Sequence, residues 1–335
     1  MPEIQEVFRM ATQKVRPDPE ALDRQHRGQR RRVSQKRAAV YVLVVVLLVA
    51  GAVVAISTLG SDHEQPAGEG SNPPPPQAAE QTLSIVDVGT GTAAEFTVPA
   101  GASGFDFTLD GSMVAYADQD ENGATQVFVA DADGSNARQL THGEGGARGP
   151  RWSPDDSMIA YERETASDSQ IFVVDVTDGT STQVTHEAGG AVDPGGWTPD
   201  GGSILFSTFN ASVDQYSAVS VDLSTGQTSQ IVPDGSTPTS SPDGARIAFN
   251  SWLKEPTVRL ILANSDGTAG QTIARFTLDD GYQEWSPDST QIAFVGTTDA
   301  DGSGTYVYDL ATGETRFVTS GTIESWIDND HVIVS

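Results

Sequence analysis

The stretch Trp285-Ser286-Pro287-Asp288, followed by Gln291-Ile292-Ala293-Phe294, decides the fold of this chain. It consists of an aromatic residue, a hydroxyl residue, Pro-Asp, a short polar turn and an apolar run. Proline presets the backbone dihedral of a turn, and aspartate can bond the backbone beyond it. Apolar runs on both sides of such a turn predict a β-hairpin.

The phrase recurs along the chain at a regular period. Successive copies lie 45, 45, 43, 45 and 40 residues apart. Each interval contains a second apolar run that ends in Asp or Asn before a turn, as in Val127-Phe128-Val129-Ala130-Asp131. This pattern predicts four-stranded propeller blades rather than a helical solenoid. The repeated aspartates are Asp110, Asp155, Asp200, Asp243, Asp288 and, in a degenerate copy, Asp328.

The two ends of the repeat body complete each other. The last unit stops at Ser335 after only two predicted strands, and residues 83–91 and 94–98 read as the missing third and fourth strands. We therefore predict an all-β fold over residues 83–335, a six-bladed β-propeller whose last blade is shared by both ends of the body. Closing the ring in this way removes free sheet edges.

An uncharged run precedes the repeats. Residues 38–59 are 22 residues rich in Val, Leu and Ala. A helix of this length spans roughly 33 Å, enough to cross the hydrocarbon core of a bilayer. We predict a single transmembrane helix, with a cleaved signal peptide as the alternative.

The flanking charges orient this helix. Residues 1–37 carry ten Lys/Arg and five Asp/Glu, whereas residues 60–335 carry nine and forty-one. The positive-inside rule places the basic leader, residues 1–37, in the cytoplasm and the propeller outside the membrane. Residues 60–82, which include four consecutive prolines, are predicted to be a linker.

The composition excludes several classes of function. The chain has no cysteine, which excludes disulfides, thiolate metal sites and cysteine nucleophiles. The strongly acidic body repels nucleic acid. An acidic ectodomain of this kind suits cations or basic partners, or simply keeps the protein soluble.

The Trp-Ser-Pro-Asp and Ile-Ala-Phe phrases, together with the Asp-Gly turns, resemble the WD-like repeat (PD40-type) of TolB-like six-bladed propellers. This resemblance implies binding of peptides or proteins at one face of the disc, and it carries over no catalytic residue. We expect the chain to differ from TolB in having a membrane anchor and no separate N-terminal domain. The leader, residues 6–32, resembles those of actinobacterial membrane-anchored regulators of anti-sigma type.

Strand direction assigns the connections of each blade to two faces. The Pro-Asp and Asp-Gly turns share one face, and the longer, irregular loops share the other. Irregular loops on a rigid scaffold commonly carry function, so the ligand-binding face is predicted on the irregular side. Its candidate residues are Arg148, Arg163, Asp193, Phe209, Tyr216, Trp252, Lys254 and Tyr282.

A loop and a set of tryptophans complete the candidates. Asp118, Asp120 and Asn122 match the opening of a calcium loop, but the expected bidentate glutamate position is Val129. The alternatives are weak calcium binding and an ordinary polar turn. Four tryptophans hold the same place before the Pro-Asp turn and are predicted to pack between blades: Trp152, Trp197, Trp285 and Trp326.

These observations leave three functional hypotheses. The leading one is a non-enzymatic binding or scaffold protein in the bacterial cell envelope, with a protein, peptide or envelope ligand and no required cofactor. The second is an anti-sigma-like regulator that senses through the propeller and holds a cytoplasmic protein partner with residues 1–37. The third, a propeller hydrolase or lyase, lacks any recognisable catalytic motif, such as Gly-x-Ser-x-Gly.

Overall fold

The structure is a computed structural model that describes residues 80–335 apart from 133, 211, 214, 253–256, 278–281 and 299–300. The predicted leader, the predicted membrane helix and residues 60–79 of the linker lie outside this part. The described residues form strands and turns, and none of them belongs to a helix long and apolar enough to cross a membrane.

The described part of the chain contains a long series of short strands. In chain order they are β1 (Glu80–Asp87), β2 (Ala93–Pro99), β3 (Ser103–Phe107), β4 (Met113–Gln119), β5 (Thr125–Asp131), β6 (Arg138–Gln139), β7 (Ala147–Trp152), β8 (Met158–Glu164), β9 (Ser169–Asp175), β10 (Ser181–Gln183), β11 (Ala191–Trp197), β12 (Ser203–Asn210), β13 (Gln215–Asp222), β14 (Thr228–Val232), β15 (Ser236–Ser240), β16 (Arg246–Trp252), β17 (Thr257–Asn264), β18 (Gln271–Thr277), β19 (Gln283–Trp285), β20 (Gln291–Thr298), β21 (Gly302–Asp309), β22 (Thr315–Thr319), β23 (Ile323–Trp326) and β24 (His331–Val334).

These strands form antiparallel four-stranded units, each a meander in sequence order. Units 1 to 5 are β3–β6, β7–β10, β11–β14, β15–β18 and β19–β22. Units 4 and 5 are joined into one sheet by a single residue pair, Thr277 with Thr297. The all-β prediction is confirmed, and the strands are propeller-like in their order.

Unit 6 combines both ends of the body, because its strand order is β2-β1-β24-β23. The register pairs Ser84 with Val334 and Asp87 with His331. β1 begins at Glu80, so this strand starts earlier than the predicted start at residue 83. The last strand of the chain therefore has a hydrogen-bonded partner from the first strand of the body.

The Pro-Asp phrase forms the turn between the first two strands of a unit. The Ser153 hydroxyl donates to Asp155 Oδ1 at 2.8 Å and accepts the Met158 N–H at 2.9 Å. The carboxylate of Asp155 also accepts the Ser157 N–H. The side chains thus satisfy backbone groups that the turn leaves without ladder partners. The same hydroxyl-to-aspartate bond is made by Thr108, Thr198, Ser241 and Ser286.

The repeated tryptophans lie between neighbouring units, as predicted. All four are buried. Each indole N–H donates to a backbone carbonyl in the first strand of the preceding unit, at 3.0–3.3 Å. The bonds run from Trp152 to Asp106 O, Trp197 to Arg151 O, Trp285 to Thr239 O and Trp326 to Glu284 O.

The first strands of the units line the centre of the molecule. Each of β3, β7, β11, β15 and β19 contacts the first strand of the next unit, and β23 contacts β3. These contacts run from each first strand to the next and return from β23 to β3, around an axial channel. Most of them carry a β-bulge, for example between Arg148 and Arg151 and between Val192 and Gly196. Bulges redirect side chains, here within the channel wall.

Candidate functional site

The channel contains a cavity of about 300 Å³. Every unit contributes to its wall, mostly from the first half of its first strand, where the chain enters from the irregular loops. The cavity therefore lies at the face predicted for ligand binding. The lining residues are Gly104, Arg148, Gly149, Arg151, Glu162, Asp193, Pro194, Gly195, Thr237, Thr239, Tyr282, Gln283, Thr322, Ile323 and Glu324.

Two residues of the wall have unusual backbone conformations. Asp193 and Thr237 have φ values of 51° and 48°. A positive φ is uncommon for any residue with a side chain and is a genuine outlier for a β-branched one. The packing around Thr237 holds it there, since its N–H donates to Ser207 Oγ at 2.8 Å and its hydroxyl accepts Asn250 Nδ2–H at 3.0 Å. Such strained positions are concentrated at functional sites.

Arg148 and Glu162 line one side of the cavity, and Glu164 pairs with Arg148 from outside the wall. The Arg148 guanidinium donates to Glu162 Oε1 through Nε at 3.1 Å and Nη2 at 2.9 Å, and Nη2 also lies 3.1 Å from Glu164 Oε1. The side chain of Glu162 is 7% exposed, whereas that of Arg148 is 51% exposed. The second oxygen of Glu162 accepts the Asp193 N–H at 3.2 Å. Glu162 therefore anchors both Arg148 and the bulged backbone at Asp193.

A second, more deeply buried arginine lies in the same channel. The Arg151 guanidinium donates to the Tyr282 hydroxyl, and its Cζ lies 4.9 Å from the centroid of that ring. Tyr282 in turn donates to Glu284, whose Oε1 lies 3.7 Å from Arg151 Nη2. This group connects unit 2 with unit 5 across the axis, since Arg151 belongs to β7 and Glu284 to β19.

Three carboxyl groups of the channel have raised pKa values. Burial raises the pKa of Asp106 to about 7, although the charge of Arg151 lowers it and that of Glu284 raises it. Burial also raises the pKa of Glu284, against the opposing effect of Arg151. Glu324 has a raised pKa for the same primary reason, partly offset by hydrogen bonds to Ser335 and to the backbone of Gly104 and Phe105. A carboxylate that is removed from water is stabilised by a nearby positive charge; without one, it tends to take up a proton.

The channel therefore contains more acidic than basic side chains. Three carboxyl groups line the cavity together with two guanidinium groups, and two further carboxyl groups lie behind Arg151. Arg148 and Arg151 are each already engaged with carboxylates. The arrangement favours a cationic or hydrogen-bond-donating group at the mouth of the cavity. The five acidic residues are Asp106, Glu162, Asp193, Glu284 and Glu324.

The structure brings three of the eight predicted face residues together at the cavity: Arg148, Asp193 and Tyr282. Arg163 lies at the end of β8, where its Nη2 donates to His142 O at 2.8 Å and its Cζ lies 5.7 Å from the Tyr161 ring centroid. It therefore stabilises a connection outside the cavity.

Two more of the predicted face residues, Phe209 and Tyr216, lie away from the cavity. Phe209 and Tyr216 pair across the β12–β13 hairpin, with ring centroids 4.9 Å apart. Trp252 is the last residue of β16, and its backbone pairs with Val258. Lys254 lies outside the described residues. Phe209 and Tyr216 therefore do not converge with the cavity.

The predicted calcium loop is a hydrogen-bonded turn in the structure. Asp120 Oδ1 accepts the N–H groups of Asn122 at 2.8 Å and Ala124 at 2.9 Å, and Asp118 Oδ1 accepts the Gln119 N–H at 2.7 Å. In the described part of the chain, no three His, Cys, Asp or Glu side chains are grouped to hold a metal ion. Calcium binding at this turn stays a prediction.

Sequence reasoning missed four central residues of the channel: Arg151, Glu162, Glu284 and Glu324. A signal for two of them was present in the repeats. The residue just before each repeated aromatic points away from the interface between units, because neighbouring residues of a strand face opposite sides. This position holds Asp106, Arg151 and Glu284 in three units but Gly196, Thr239 and Ser325 in the other three.

Comparisons with known proteins agree with the fold. Residues 122–259 match the family model of the Tricorn protease N-terminal beta propeller domain. No curated protein sequence matches the chain. The structure resembles that of a putative TolB from Agrobacterium tumefaciens, with a TM-score of 0.63 and 18% identity over 77% of this chain and 98% of that one.

Two further solved structures have the same architecture at lower similarity. TolB from Acinetobacter baumannii gives a TM-score of 0.57 at 13% identity, covering 70% of this chain and 62% of that one. Oligogalacturonate lyase from Vibrio parahaemolyticus gives 0.51 at 19% identity, covering 72% and 73%. At these identities the likeness concerns the fold. It supports a TolB-like β-propeller.

Proposed function

We propose that this chain is a membrane-anchored, extracytoplasmic binding protein whose propeller receives a basic segment of a protein or peptide ligand at the mouth of its channel. The observation that carries the proposal is the acidic cavity on the axis, at the irregular face. Residues 38–59 would provide the anchor, since they are long and apolar enough to span a bilayer.

The proposal includes a closed ring of six blades. Its support is the cyclic contact of the first strands and the pairing of β1 with β24, which joins the two ends of the body within one unit. A closed ring makes a rigid frame for the channel. A preorganised site loses little conformational entropy when it binds a ligand.

The placement of the acidic residues favours binding rather than catalysis. Asp106 and Glu284, whose pKa values are raised, do not line the cavity and instead contact or approach Arg151 behind it. Glu162 is bonded to Arg148 and to the backbone of Asp193. A general acid or base needs direct access to the group it protonates or deprotonates. The carboxyl groups that a basic ligand can approach are those that line the cavity, on Glu162, Asp193 and Glu324.

The test uses the full-length chain and fluorescent peptides of equal length with basic, neutral or acidic sequences. Fluorescence anisotropy should show binding of the basic peptides, weakening as salt increases. Thr322→Lys, which puts a cation on the cavity wall at an exposed position, should weaken binding at least about tenfold because like charges repel.

Thr315→Lys, an exposed threonine of β22 away from the cavity, is the matched control and should change the affinity less than about twofold. Equal binding of acidic and basic peptides, or equal effects of the two lysine variants, would contradict the proposal. Turnover of a peptide, glycan or lactone that is lost in Thr322→Lys would show that the site is catalytic instead.

A further inference from the structure

The junction between units 3 and 4 differs from the other junctions. At four junctions a tryptophan ends the first strand of the following unit and packs against the preceding unit. Its neighbour there is an alanine of the second strand, so that the small residue makes room for the indole. The pairs are Ala115 with Trp152, Ala160 with Trp197, Ala248 with Trp285 and Ala293 with Trp326.

A third position completes this arrangement. The residue of the third strand that pairs with the alanine is aliphatic and belongs to the same core cluster as the tryptophan. It is a valine at three junctions and a leucine at one. These residues are Val129, Val173, Leu262 and Val307.

All three positions change together between units 3 and 4. Ser240 replaces the tryptophan, Leu205 replaces the alanine, and Ser220, which pairs with Leu205, replaces the aliphatic residue. Leu205 takes up part of the space that an indole would fill, and it is 2% exposed. A cavity of about 550 Å³ nevertheless lies here, and Ser220, Leu205 and Ser240 all line it.

We propose that this cavity is a binding site for an aromatic group that carries an N–H donor, of the indole kind, supplied by a ligand in place of the missing tryptophan. It is separate from the axial channel and does not depend on the function proposed above. Its volume lies within the range usual for small-molecule sites.

The walls have the chemistry that this group requires. Leu205, Ile231 and Ile247 provide an apolar surface, and Ser220 and Ser240 add hydroxyl groups. At the other junctions the indole N–H donates to a backbone carbonyl of the preceding unit. The equivalent residue here, Gly196, does not line the cavity, so the acceptors for a ligand N–H are the hydroxyl oxygens of Ser220 and Ser240. Ser240 lacks an indole ring, and its hydroxyl donates to Ser241 O at 3.4 Å.

The mouth of the cavity lies among the turns that join strands within the units. Asp200, of the Pro-Asp turn in unit 3, and Asp266, of the β17–β18 turn, are both there. Hydrogen bonds from Thr198 and Gly202 to Asp200, and from Thr268 to Asp266, lower the pKa of each carboxyl. The mouth is therefore anionic, which disfavours acidic aromatic compounds and favours neutral or basic ones.

The test is equilibrium dialysis of indole against the full-length chain. One saturable site per chain is expected, with a dissociation constant on the order of 1 mM or below for so small a ligand. The double variant Leu205→Ala/Ser240→Trp rebuilds the Trp–Ala pair found at four other junctions. It should fold and bind indole at least about tenfold more weakly, because its own side chain occupies the site.

Two further variants guard the interpretation. Val213→Trp adds an indole to unit 3 at a position that is 62% exposed. This variant should bind indole with an affinity within about twofold of the wild-type value. Ser220→Val introduces the residue of three other units and should weaken binding at least about threefold by narrowing the cavity. Ser220→Val keeps the proposal testable if the double variant fails to fold.

Binding of N-acetyltryptophanamide distinguishes a tryptophan side chain of a partner from a free indole compound as the source of the aromatic group. If it binds as tightly as indole, a tryptophan of a peptide or protein partner fits the site, whereas binding of indole alone indicates a free small molecule. The proposal is overturned if indole shows no saturable binding to the wild-type chain, or if it binds Ser220→Val and the folded double variant as tightly as the wild type.

Discussion

The hydroxyl of Ser153 shows how one residue of the repeat specifies a turn. Ser153 is buried, its hydroxyl donates to Asp155, and it accepts the N–H of Met158. Removal of the hydroxyl leaves a buried N–H without its acceptor, which costs more than the net value of one hydrogen bond. The hydroxyl therefore explains why the motif requires Ser or Thr before Pro-Asp.

We predict that Ser153→Ala lowers the free energy of unfolding by about 1–3 kcal/mol, because it leaves the Met158 N–H unsatisfied. Urea denaturation measures the change. Ser157→Ala is the control, since its hydroxyl also donates to Asp155 Oδ1, at 2.7 Å, but lies nearer solvent. A loss for Ser157→Ala equal to that for Ser153→Ala would contradict the role assigned to the buried acceptor.

Asp106 gives the channel a predicted dependence on pH. Its pKa is about 7 in the folded chain, against an ordinary value of 3.8. Since the folded protein holds this proton more tightly than the unfolded chain, the stability that the protonated group contributes is fully present below pH 3.8 and is lost as the pH rises through about 7.

We therefore predict that the stability of the wild type relative to Asp106→Asn falls as the pH rises from about 4 to about 8. The amide keeps an oxygen that can accept the Trp152 N–H, which Asp106 Oδ2 now accepts at 2.6 Å. Thermal unfolding of both proteins across this range measures the difference. Glu314→Gln, which neutralises an exposed carboxylate, controls for the loss of charge alone. A difference for Asp106→Asn that does not change with pH would contradict the prediction.

The strands and turns are predictable from the sequence because their signals are local. Alternation of apolar residues and the Ser-Pro-Asp turn act within a few residues, and a tryptophan precedes the turn in three units besides that of Trp152. The channel is different. Arg151 and Tyr282 are far apart in the sequence and meet only because the ring brings β7 and β19 to the same axis. Such a contact depends on the closed arrangement of all the units, which no local pattern encodes.

At the scale of the elements, each junction between units depends on complementary volumes. A large tryptophan faces a small alanine at four junctions, whereas Ser240 faces Leu205 at the junction between units 3 and 4. At the junction between units 6 and 1, Phe107 packs in the cluster that contains Ile333. Protein interiors are close-packed, so a change on one side of a junction is tolerated best when the other side changes with it.

This complementarity predicts a strong coupling between Leu205 and Ser240. Leu205→Ala should cost roughly 2–5 kcal/mol by enlarging the cavity. Ser240→Trp should cost about 1–3 kcal/mol, because the indole meets Leu205. The double variant should be more stable than the sum of the single changes implies, by at least about 1 kcal/mol. Urea unfolding of the four proteins completes the cycle, and additive effects would show that the two side chains do not share one space.

At the scale of the whole molecule, the two candidate sites lie at different ends of the units. The axial cavity lies where the irregular loops enter the first strands, as predicted for a binding face. The cavity between units 3 and 4 lies among the Pro-Asp and Asp-Gly turns, which the repeat makes nearly uniform. A uniform face therefore gains a possible site only where one unit departs from the consensus, as at Ser240.

The proposed ring depends on β1 pairing with β24. Val332, Ile333 and Val334 are all at most 4% exposed, so the last strand of the chain is as buried as the inner strands. It brings residues 80–87 and 331–334, the two ends of the body, into one sheet. Linking these strands covalently should therefore stabilise the fold by restricting the unfolded chain, if their register is the one observed.

The variant Asp87→Cys/His331→Cys tests this closure. The two positions are paired, and Asp87 Oδ2 lies 3.7 Å from His331 Nε2, so their side chains face each other. Since the chain has no other cysteine, we expect one disulfide to form under mild oxidation of the folded protein. The oxidised form should be more stable than the reduced form of the same variant by up to about 5 kcal/mol, as measured by thermal and urea unfolding.

Asp87→Cys/Val334→Cys, which is out of register, should cross-link far more slowly. Equal cross-linking of the two pairs would mean that the ends of the body do not close the ring in this register.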